Sequence, residues 1–277
     1  MDGNDQKTRG ARFRDLHASG TFVITNAWDG GSARILTGLG FAALATSSGA
    51  AAGTLGRLDH GITVEESLAN AKLICDSTDL PVSADLEKGF GDAPADTART
   101  IRRAAEVGLV GGSIEDRSGA ANAPIYDIGL ATERVAAAVE AARALPFQFT
   151  LTARAENYLS GRPDLDDTIR RLQAYERAGA DVLFAPGLPD LAAVRAVCSA
   201  LKKPVNFMVG IPGKSFTVAE LAAAGVRRIS LAGSLYRAAM TNLIHAAKEV
   251  RDSGTFSYLD RMTPGPEFAG YFKKPPA

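Results

Sequence analysis

Two carboxylates stand two residues apart in residues 82–91, whose sequence is VSADLEKGFG. Asp85 and Glu87 lie at the end of an apolar strand candidate, and side chains two residues apart on a strand share one face of the sheet. Like charges on one face repel each other, and a divalent cation with oxygen ligands is the simplest group that could join them. Gly89 and Gly91 follow and let the backbone approach a ligand closely. This segment therefore predicts one edge of a metal site.

The composition is that of an ordinary globular chain of 277 residues, with 46% hydrophobic and 22% charged residues. The 31 basic and 31 acidic side chains cancel, so no basic excess indicates a nucleic-acid partner. No run of about 18 apolar residues predicts a membrane span, and the polar N-terminus lacks the apolar core of a signal peptide. We therefore predict a cytoplasmic protein, with Cys75 and Cys198 reduced and buried in helices.

Short apolar runs alternate with helical periods along the whole chain. Eight runs are predicted as strands, at residues 22–26, 42–47, 82–87, 112–115, 149–154, 182–185, 205–209 and 228–232. Regular alternation with crossovers of this length predicts parallel strands, and eight such units predict an α/β fold of the closed (β/α)8, TIM-type barrel class. A doubly wound open sheet is the alternative, but no Gly-x-Gly-x-x-Gly follows the first strand.

Apolar residues recur at three- and four-residue spacing in the predicted helices, which include residues 64–76, 95–107, 131–144 and 166–178. An extra helix at residues 8–18 precedes the first strand. Because the composition shows no break, residues 1–277 are predicted to form one barrel domain. Residues 254–277 combine prolines with aromatic side chains, which predicts a C-terminal arm over the barrel or over a neighbouring subunit.

Chemistry in such barrels takes place at the C-terminal ends of the strands. Four acids from three neighbouring strand units would meet there, namely Asp59, Asp85, Glu87 and Glu115. They would repel one another strongly without a cation, and an oxygen-only ligand set without a His or Cys cluster indicates a hard divalent metal rather than zinc. Arg154, one unit further along, could neutralise part of this charge or bind a substrate carboxylate through two hydrogen bonds.

Other polar residues near the strand ends have a plainer interpretation beside a functional one. Residues 47–50 (SSGA) could anchor a carboxylate through hydroxyls and backbone N–H groups, or could form an ordinary turn with a helix cap. Asp29 and Asp116 are predicted to be helix caps or surface loop charges. His60 is predicted to be a loop histidine paired with Asp59 rather than a catalytic base.

Several short motifs occur in a fixed order along the chain. They are Asn26-x-Trp28-Asp29-x-x-Ser32-Ala33-Arg34, Thr46-x-Ser48-Gly49, Asp59, Asp85-x-Glu87-x-Gly89-Phe90-Gly91, Ile114-Glu115-Asp116 and Ala153-Arg154. Together they resemble the isocitrate lyase/phosphoenolpyruvate mutase superfamily across nearly the whole predicted barrel. The resemblance implies a Mg2+-dependent enzyme, with Mn2+ as an alternative metal, that acts on small 2-oxo or 2-hydroxy carboxylates.

The resemblance also implies a role for each matching residue. Asp85 would ligate the metal directly, whereas Asp59, Glu87 and Glu115 would hold it through water. Arg154, Glu115 and Asp59 would form the catalytic set. The substrate-binding residues would be Trp28, Thr46, Ser48, Gly49, Ala50, Asn122, Arg154 and Asn206.

This chain also departs from the pattern of that superfamily. The lyase branches carry Lys-x-Cys-Gly-His on a loop after the fourth strand, whereas residues 117–124 here are RSGAANAP, without Cys, His or Lys. The phosphonate branches use a loop Lys with a later Asn or Thr, for which Asn122 fits and Arg117 is only a substitute. Glu87 stands where the family usually has Asp. Members commonly form tetramers by exchanging the last barrel helix, here residues 234–252, so a homo-oligomer, dimer or tetramer, is expected.

The leading hypothesis is a Mg2+-dependent carbon–carbon lyase or decarboxylase. It would act on an oxaloacetate-like 2-oxo or 2-hydroxy di- or tricarboxylate through a metal-stabilised enolate, which needs no cysteine acid. Two alternatives are P–C chemistry of the phosphonopyruvate hydrolase or phosphoenolpyruvate mutase type, and a non-catalytic protein that binds 2-oxo acids. A Schiff-base aldolase is a weaker alternative, since Lys88 follows Glu87 and should face away from the site.

Overall fold

The structure is a computed structural model that describes residues 3–273. Within them, the strands are β1 (Phe22–Asn26), β2 (Leu44–Ala45), β3 (Val82–Asp85), β4 (Gly111–Glu115), β5 (Arg117–Ala120), β6 (Ala123–Ile125), β7 (Thr150–Arg154), β8 (Val182–Phe184), β9 (Val205–Met208) and β10 (Arg228–Ser230). All except β5 and β6 form a closed parallel barrel in the order β1-β10-β9-β8-β7-β4-β3-β2. The predicted (β/α)8 barrel is therefore confirmed.

Helices separate most of the barrel strands and surround the sheet. They are α1 (Gly3–Leu16), α2 (Gly30–Gly38), α3 (Ser48–Thr54), α4 (Val64–Asp76), α5 (Pro94–Glu106), α6 (Ile128–Arg143), α7 (Leu165–Arg177), α8 (Leu191–Ser199), α9 (Val218–Ala223), α10 (Ser234–Ser253) and α11 (Gly265–Gly270), with a 3-10 helix at Ser257–Arg261. The extra N-terminal helix is confirmed and begins at Gly3 instead of residue 8. Within residues 3–273, no helix has both the length and the hydropathy of a membrane span.

Short polar side chains determine where two of the helices begin. The Asp29 side chain accepts the Ser32 N–H, and the Ser32 hydroxyl accepts the Asp29 N–H, which forms a reciprocal cap at α2. The prediction of Asp29 as a helix cap is therefore confirmed. Strand β2 is shorter than the predicted residues 42–47, because Ser47 caps α3 through the Ala50 N–H.

The N-terminal end of the barrel is sealed by apolar side chains. Phe13 of α1 packs with Ile24, Ala43 and Val110, and all four are buried. A Cβ on Gly111, the first residue of β4, would lie only 2.7 Å from Cε1 of Phe13, so the close approach of α1 requires glycine there. With this end closed, any ligand must enter from the C-terminal ends of the strands.

The predicted loop after β4 is an antiparallel hairpin. Strands β5 and β6 pair Arg117 with Ile125 and Ala120 with Ala123. The sequence pattern did not predict this hairpin, because strands of only three and four residues are too short to show an alternating apolar signal. The hairpin stands over the C-terminal face of the barrel, since it directly follows Glu115 at the end of β4.

Helix α10 differs from the other long helices because none of its 20 residues is buried. Leu243 and Ile244 expose 60% and 51% of their surface. In the arm that follows, the Tyr271 ring lies against Gly38 of α2, so this part of the arm packs on its own barrel. Residues 274–277, with two of the prolines used to predict the arm, lie outside the described residues. Exchange of α10 between subunits stays a prediction.

Candidate functional site

A cavity with a volume of about 440 Å³ opens at the C-terminal ends of the barrel strands. It brings together most of the side chains predicted from the sequence, namely Thr46, Ser48, Gly49, Ala50, Asp59, Asp85, Glu115, Arg154 and Asn206. Three predicted residues, Trp28, Glu87 and Asn122, do not line it. Such a pocket at this face of a TIM-type barrel is the expected position for an active site.

Arg154, at the end of β7, is the charged centre of the cavity. Its Nη1 lies 3.1 Å from Asp85 Oδ1, and its Nη2 lies 3.2 Å from Glu115 Oε2 and 2.6 Å from Glu156 Oε1. Burial favours the neutral guanidinium, but the three carboxylates outweigh it and raise the pKa of Arg154. Arg154 is therefore a permanent cation within an acidic wall.

Glu156 is a buried site residue that the sequence analysis did not include. It lies two residues after Arg154, and Nη2 of Arg154 contacts both Glu156 and Glu115. Burial raises the pKa of both Glu115 and Glu156, and the charge of Arg154 opposes that rise. Arg154-x-Glu156 repeats the spacing of Asp85-x-Glu87, which was the sequence signal that could have revealed it.

Ser48 links two of the predicted acids at the start of α3. Its hydroxyl donates to Asp85 Oδ2 at 2.9 Å and lies 3.2 Å from Asp59 Oδ1, while its backbone N–H also faces Asp85 Oδ2 at 3.3 Å. Asp85 is further held by its own N–H, which donates to Thr46 Oγ1 at 3.0 Å. A Cβ on Gly49 would lie 3.1 Å from Cγ of Asp59, so glycine lets α3 approach this acid.

A second group of ligand-type side chains lies beside the cavity. Atoms of Asp59, His60 and Glu87 that could ligate a metal all lie within 4.8 Å of one another. His60 Nε2 lies 3.9 Å from Oδ2 of Asp59, its predicted partner, and His60 Nδ1 lies closer, at 3.4 Å, to Glu87 Oε2. The hydrogen bond to Glu87 raises the pKa of His60. On its other side, His60 Nε2 contacts Arg117 of the hairpin.

Backbone strain is concentrated around this group. His60 has φ of 62°, Glu87 has φ of 50°, and Ala232, which lines the cavity, has φ of 47°. Non-glycine residues rarely adopt this left-handed region, and it persists where the surrounding structure enforces it, often at functional sites. The strain supports a functional role for the segments that carry His60 and Glu87.

The donor set fits a hard divalent cation. Asp59 and Glu87 supply carboxylate oxygens beside one ring nitrogen of His60, and Glu87 Oε1 is buried without a hydrogen-bond partner among the described residues. A buried carboxylate oxygen without a partner is costly, and a cation would satisfy it. Asp85, the predicted direct ligand, does not belong to the group formed by Asp59, His60 and Glu87. Its oxygens accept hydrogen bonds from Ser48 and Arg154 instead. Its direct ligation of a metal stays a prediction.

The floor of the cavity carries a buried arginine that the sequence analysis missed. Arg228 Nε donates to Asn206 Oδ1 at 2.8 Å, and its Nη2 donates to Thr152 Oγ1 at 2.9 Å. Asn206 Nδ2 in turn donates to Ser230 Oγ at 3.0 Å. Burial lowers the pKa of Arg228 to about 9. Asn206 thus lies in the cavity as predicted, held in place by barrel side chains.

Two of the predicted substrate-binding residues lie outside the cavity wall. Trp28 packs edge-on against Tyr236, which lines the cavity, with 5.6 Å between ring centroids. Asn122 is exposed at the tip of the hairpin. Lys88 donates to Asp92 Oδ1 at 2.6 Å and does not line the cavity, as expected from its position next to Glu87. The structure therefore gives a Schiff-base lysine no support at this site.

The prediction that Asp116 is a helix cap or a surface loop charge is wrong. It is buried, and its Oδ2 accepts from Tyr175 Oη at 2.6 Å and lies 3.1 Å from Arg171 Nη1. Its Oδ1 accepts the Glu156 N–H at 2.8 Å. Asp116 therefore anchors the backbone of Glu156, and its partners come from α7, far along the chain.

Comparisons with known proteins agree with one another. Residues 13–251 match the family model described as phosphoenolpyruvate phosphomutase. The chain is 33% identical over 227 residues to 2-methylisocitrate lyase of Escherichia coli K12, which covers 78% of this chain and 75% of that protein. It is 30% identical over 237 residues to oxaloacetate decarboxylase of Bradyrhizobium diazoefficiens, with coverage of 83% and 80%. A crystal structure from Burkholderia cenocepacia J2315, provisionally assigned as a lyase/mutase, is 51% identical, with a TM-score of 0.96 and 98% coverage of both chains.

Proposed function

The chain belongs to the phosphoenolpyruvate mutase/isocitrate lyase superfamily, and on that premise we propose that it is a Mg2+-dependent carbon–carbon lyase. Its substrate would be a small 2-oxo or 2-hydroxy di- or tricarboxylate similar to oxaloacetate. The relatives named as a lyase and a decarboxylase support an enzyme that breaks carbon–carbon bonds. The position of Arg154 among Asp85, Glu115 and Glu156, inside the cavity, is the observation that carries the proposal.

The chain offers a complementary surface for the reacting end of such an acid. Ser48 and Thr46 supply hydroxyls, and Arg154 supplies a buried guanidinium that can bind carboxylate oxygens. Asp85, Glu87 and Asp59 would hold the Mg2+, and the bound cation would supply Lewis-acid polarisation of the 2-oxo and carboxylate oxygens. Arg154, which contacts Asp85, stabilises the same negative charge with its guanidinium.

Cleavage in this cavity does not depend on a cysteine acid. Cys75 is buried in α4, Cys198 is partly buried in α8, and neither lines the cavity. The hairpin that replaces the cysteine loop brings Arg117 to the cavity wall instead, where Arg117 contacts His60. In a decarboxylation the bond between C3 and the distal carboxylate breaks, CO2 leaves, and the enolate takes its proton from water. Such a reaction, or a cleavage of a β-oxo acid, suits this arrangement better than methylisocitrate cleavage through a thiol.

The second candidate function is P–C bond chemistry on a phosphonate. It is favoured by one observation, the match of residues 13–251 to a family model named for a phosphomutase. Asn122, the residue that matches the phosphonate branches, is exposed at the hairpin tip rather than at the cavity. Carbon–carbon cleavage therefore remains the leading proposal.

A substrate screen tests both candidates. The protein is incubated with Mg2+ and each of oxaloacetate, 2-oxoglutarate, isocitrate, methylisocitrate and phosphonopyruvate, and products are identified by NMR. We expect a carbon–carbon cleavage product that EDTA suppresses and added Mg2+ or Mn2+ restores. Activity that persists in EDTA would contradict the metal-dependent proposal, phosphate release from phosphonopyruvate alone would favour the second candidate, and binding without any product would favour a non-catalytic protein.

We also propose that the protein works as a homo-oligomer, a dimer or a tetramer. Helix α10 packs poorly on its own barrel, and apolar side chains such as Leu243 and Ile244 remain exposed. A second copy of the chain could cover them. The division into one barrel domain with an arm from residue 254 stays part of this proposal.

A further inference from the structure

Arg228 is a buried cation without a carboxylate partner among residues 3–273. It is 5% exposed, and its side-chain contacts are Asn206, Thr152 and His17, all neutral acceptors. Arg154, in contrast, contacts three carboxylates. Buried charges in proteins are normally paired, because leaving water without a counter-charge costs several kcal/mol (roughly). An uncompensated guanidinium that lines a cavity indicates an anionic ligand.

Strand register places Arg228 across the same cavity from the metal side. Arg228 pairs with Asn206, Asn206 with Phe184, Phe184 with Arg154, and Arg154 with Glu115. These residues form one row around the barrel wall. Near one end of the row, Arg154 is neutralised by carboxylates. At the other end, Arg228 contacts neutral acceptors.

The cavity that Arg228 lines carries small hydroxyl side chains in its wall. Ser83, Ser113 and Ser230 line the cavity, whereas the interior of a TIM-type barrel is usually filled by bulky branched residues. Three of the five guanidinium N–H groups are used by Asn206, Thr152 and His17, which leaves others for a ligand. Small hydroxyls and spare N–H groups are suitable partners for a carboxylate.

We propose that Arg228, with Asn206 and Ser230, forms a second anion subsite that binds the distal carboxylate of the substrate. The enzyme then selects dicarboxylic 2-oxo or 2-hydroxy acids over monocarboxylic ones. This inference rests on the proposed function, because the reacting end of the same substrate is taken to bind beside Arg154 while the distal carboxylate binds at Arg228. The burial-lowered pKa of Arg228 agrees with a cation that lacks a nearby acid.

Calorimetric binding of malate and lactate in the presence of Mg2+ tests the subsite. The two 2-hydroxy acids differ only by the distal carboxylate. We expect wild-type protein to bind malate at least about tenfold more tightly than lactate. Arg228→Met should reduce malate affinity far more than lactate affinity, so that the ratio of the two falls toward one. Its Tm should stay equal or rise, because an unpaired buried charge is removed.

Asn206→Asp is the sharper variant, because it keeps the shape of the side chain and supplies Arg228 with an internal carboxylate at the existing 2.8 Å contact. It should abolish the preference for malate while the fold is retained. Arg251→Met, at the exposed end of α10, is the matched control and should bind both acids as wild type does.

The outcomes distinguish an anion subsite at Arg228 from a purely structural role, and the subsite from the proposed function. If malate and lactate bind wild-type protein equally, or if both variants keep the malate preference, the subsite is wrong. If Arg228→Met weakens both acids equally, Arg228 has only a structural role. A malate preference that depends on Arg228, found together with no turnover in the substrate screen, would contradict the proposed function and leave the subsite standing. If neither acid binds, both proposals fail.

Discussion

Arg154 Nη1 lies 3.1 Å from Asp85 Oδ1, so the arginine predicted to hold the substrate contacts the acid predicted to bind the metal. The rest of the guanidinium faces Glu115 and Glu156. A divalent cation beside Asp85 would therefore share that carboxylate with Arg154. The charge balance of the site depends on both cations, and each can be tested separately.

Asp85→Asn tests the metal ligand. The change keeps the size of the side chain and removes one anionic ligand, so metal affinity should fall by roughly 100-fold or more, because affinity depends on ligand charge. Mn2+ binding followed by electron paramagnetic resonance measures it. Asp76→Asn, an exposed acid on α4, is the control and should bind Mn2+ as wild type does. Unchanged Mn2+ affinity in Asp85→Asn would indicate that Asp59, His60 and Glu87 hold the metal without Asp85.

Arg154→Met tests the buried cation. Removing it leaves Glu115 and Glu156 buried without a counter-charge, so the free energy of unfolding should fall by about 3–5 kcal/mol. Adding Glu156→Gln should recover part of that loss, because it removes one uncompensated acid. Urea unfolding measures both variants. Arg170→Met, which removes an exposed ion pair with Asp167, should cost less than about 1 kcal/mol, and an equal cost for Arg154→Met would contradict the prediction.

The sequence was sufficient for the barrel and for most of the cavity. Alternating strands and helices determine the topology, and a side chain at a strand end must reach the C-terminal face, which placed Asp85, Glu115 and Arg154 correctly. Asp116 could not be placed, because its partners Tyr175 and Arg171 lie on a helix more than 50 residues away in sequence. Burial of a polar side chain is decided by such distant partners and not by local pattern.

Arg228 was missed for a related reason. It follows another arginine, Arg227, at the start of a short strand, and nothing local distinguishes the exposed side chain from the buried one. Only barrel closure, which pairs β10 with β9 and β1, turns Arg228 toward Asn206. The unmatched charge that supports the second subsite is therefore a property of the tertiary fold.

His17 should make the protein less stable in mild acid. Its Nδ1 donates to the Phe13 carbonyl at 2.8 Å, and its Nε2 lies 3.4 Å from Nη1 of Arg228. Burial, and then the charge of Arg228, lower the pKa of His17 from 6.5 to about 3. Below pH 6.5 the unfolded chain binds a proton that the folded chain does not, so stability is complete above that pH and falls as the pH decreases toward 3.

His17→Gln removes this dependence. Between about pH 7.5 and about pH 5, wild-type protein should lose about 2 kcal/mol more stability than the variant. Urea unfolding at the two pH values measures the difference. His245→Gln, on the exposed face of α10, should behave as wild type does. An equal loss in His17→Gln and wild type would show that His17 is already protonated in the folded protein or becomes accessible.

The exposed apolar residues of α10 should hold copies of the chain together. Leu243→Glu combined with Ile244→Glu places two charges where a partner would bury apolar surface. We expect light scattering to give a dimer or tetramer for wild-type protein and a smaller species for the variant. Lys248→Glu, also on α10, tests whether charge alone disrupts assembly and should leave the oligomer intact. A wild-type monomer would contradict the oligomer proposal.

Thiol-alkylating reagents should leave the activity intact. Alkylation requires the thiolate, and burial raises the pKa of Cys75 to about 12 and that of Cys198 to about 11. Neither thiol lines the cavity, so neither can deliver a proton to the substrate there. Iodoacetamide treatment followed by a turnover assay measures the effect, and Cys198→Ala, the milder of the two replacements because this residue is only partly buried, should retain full turnover. If iodoacetamide inactivates the enzyme over time and substrate prevents this, a cysteine acts as an acid in the reaction and the prediction is wrong.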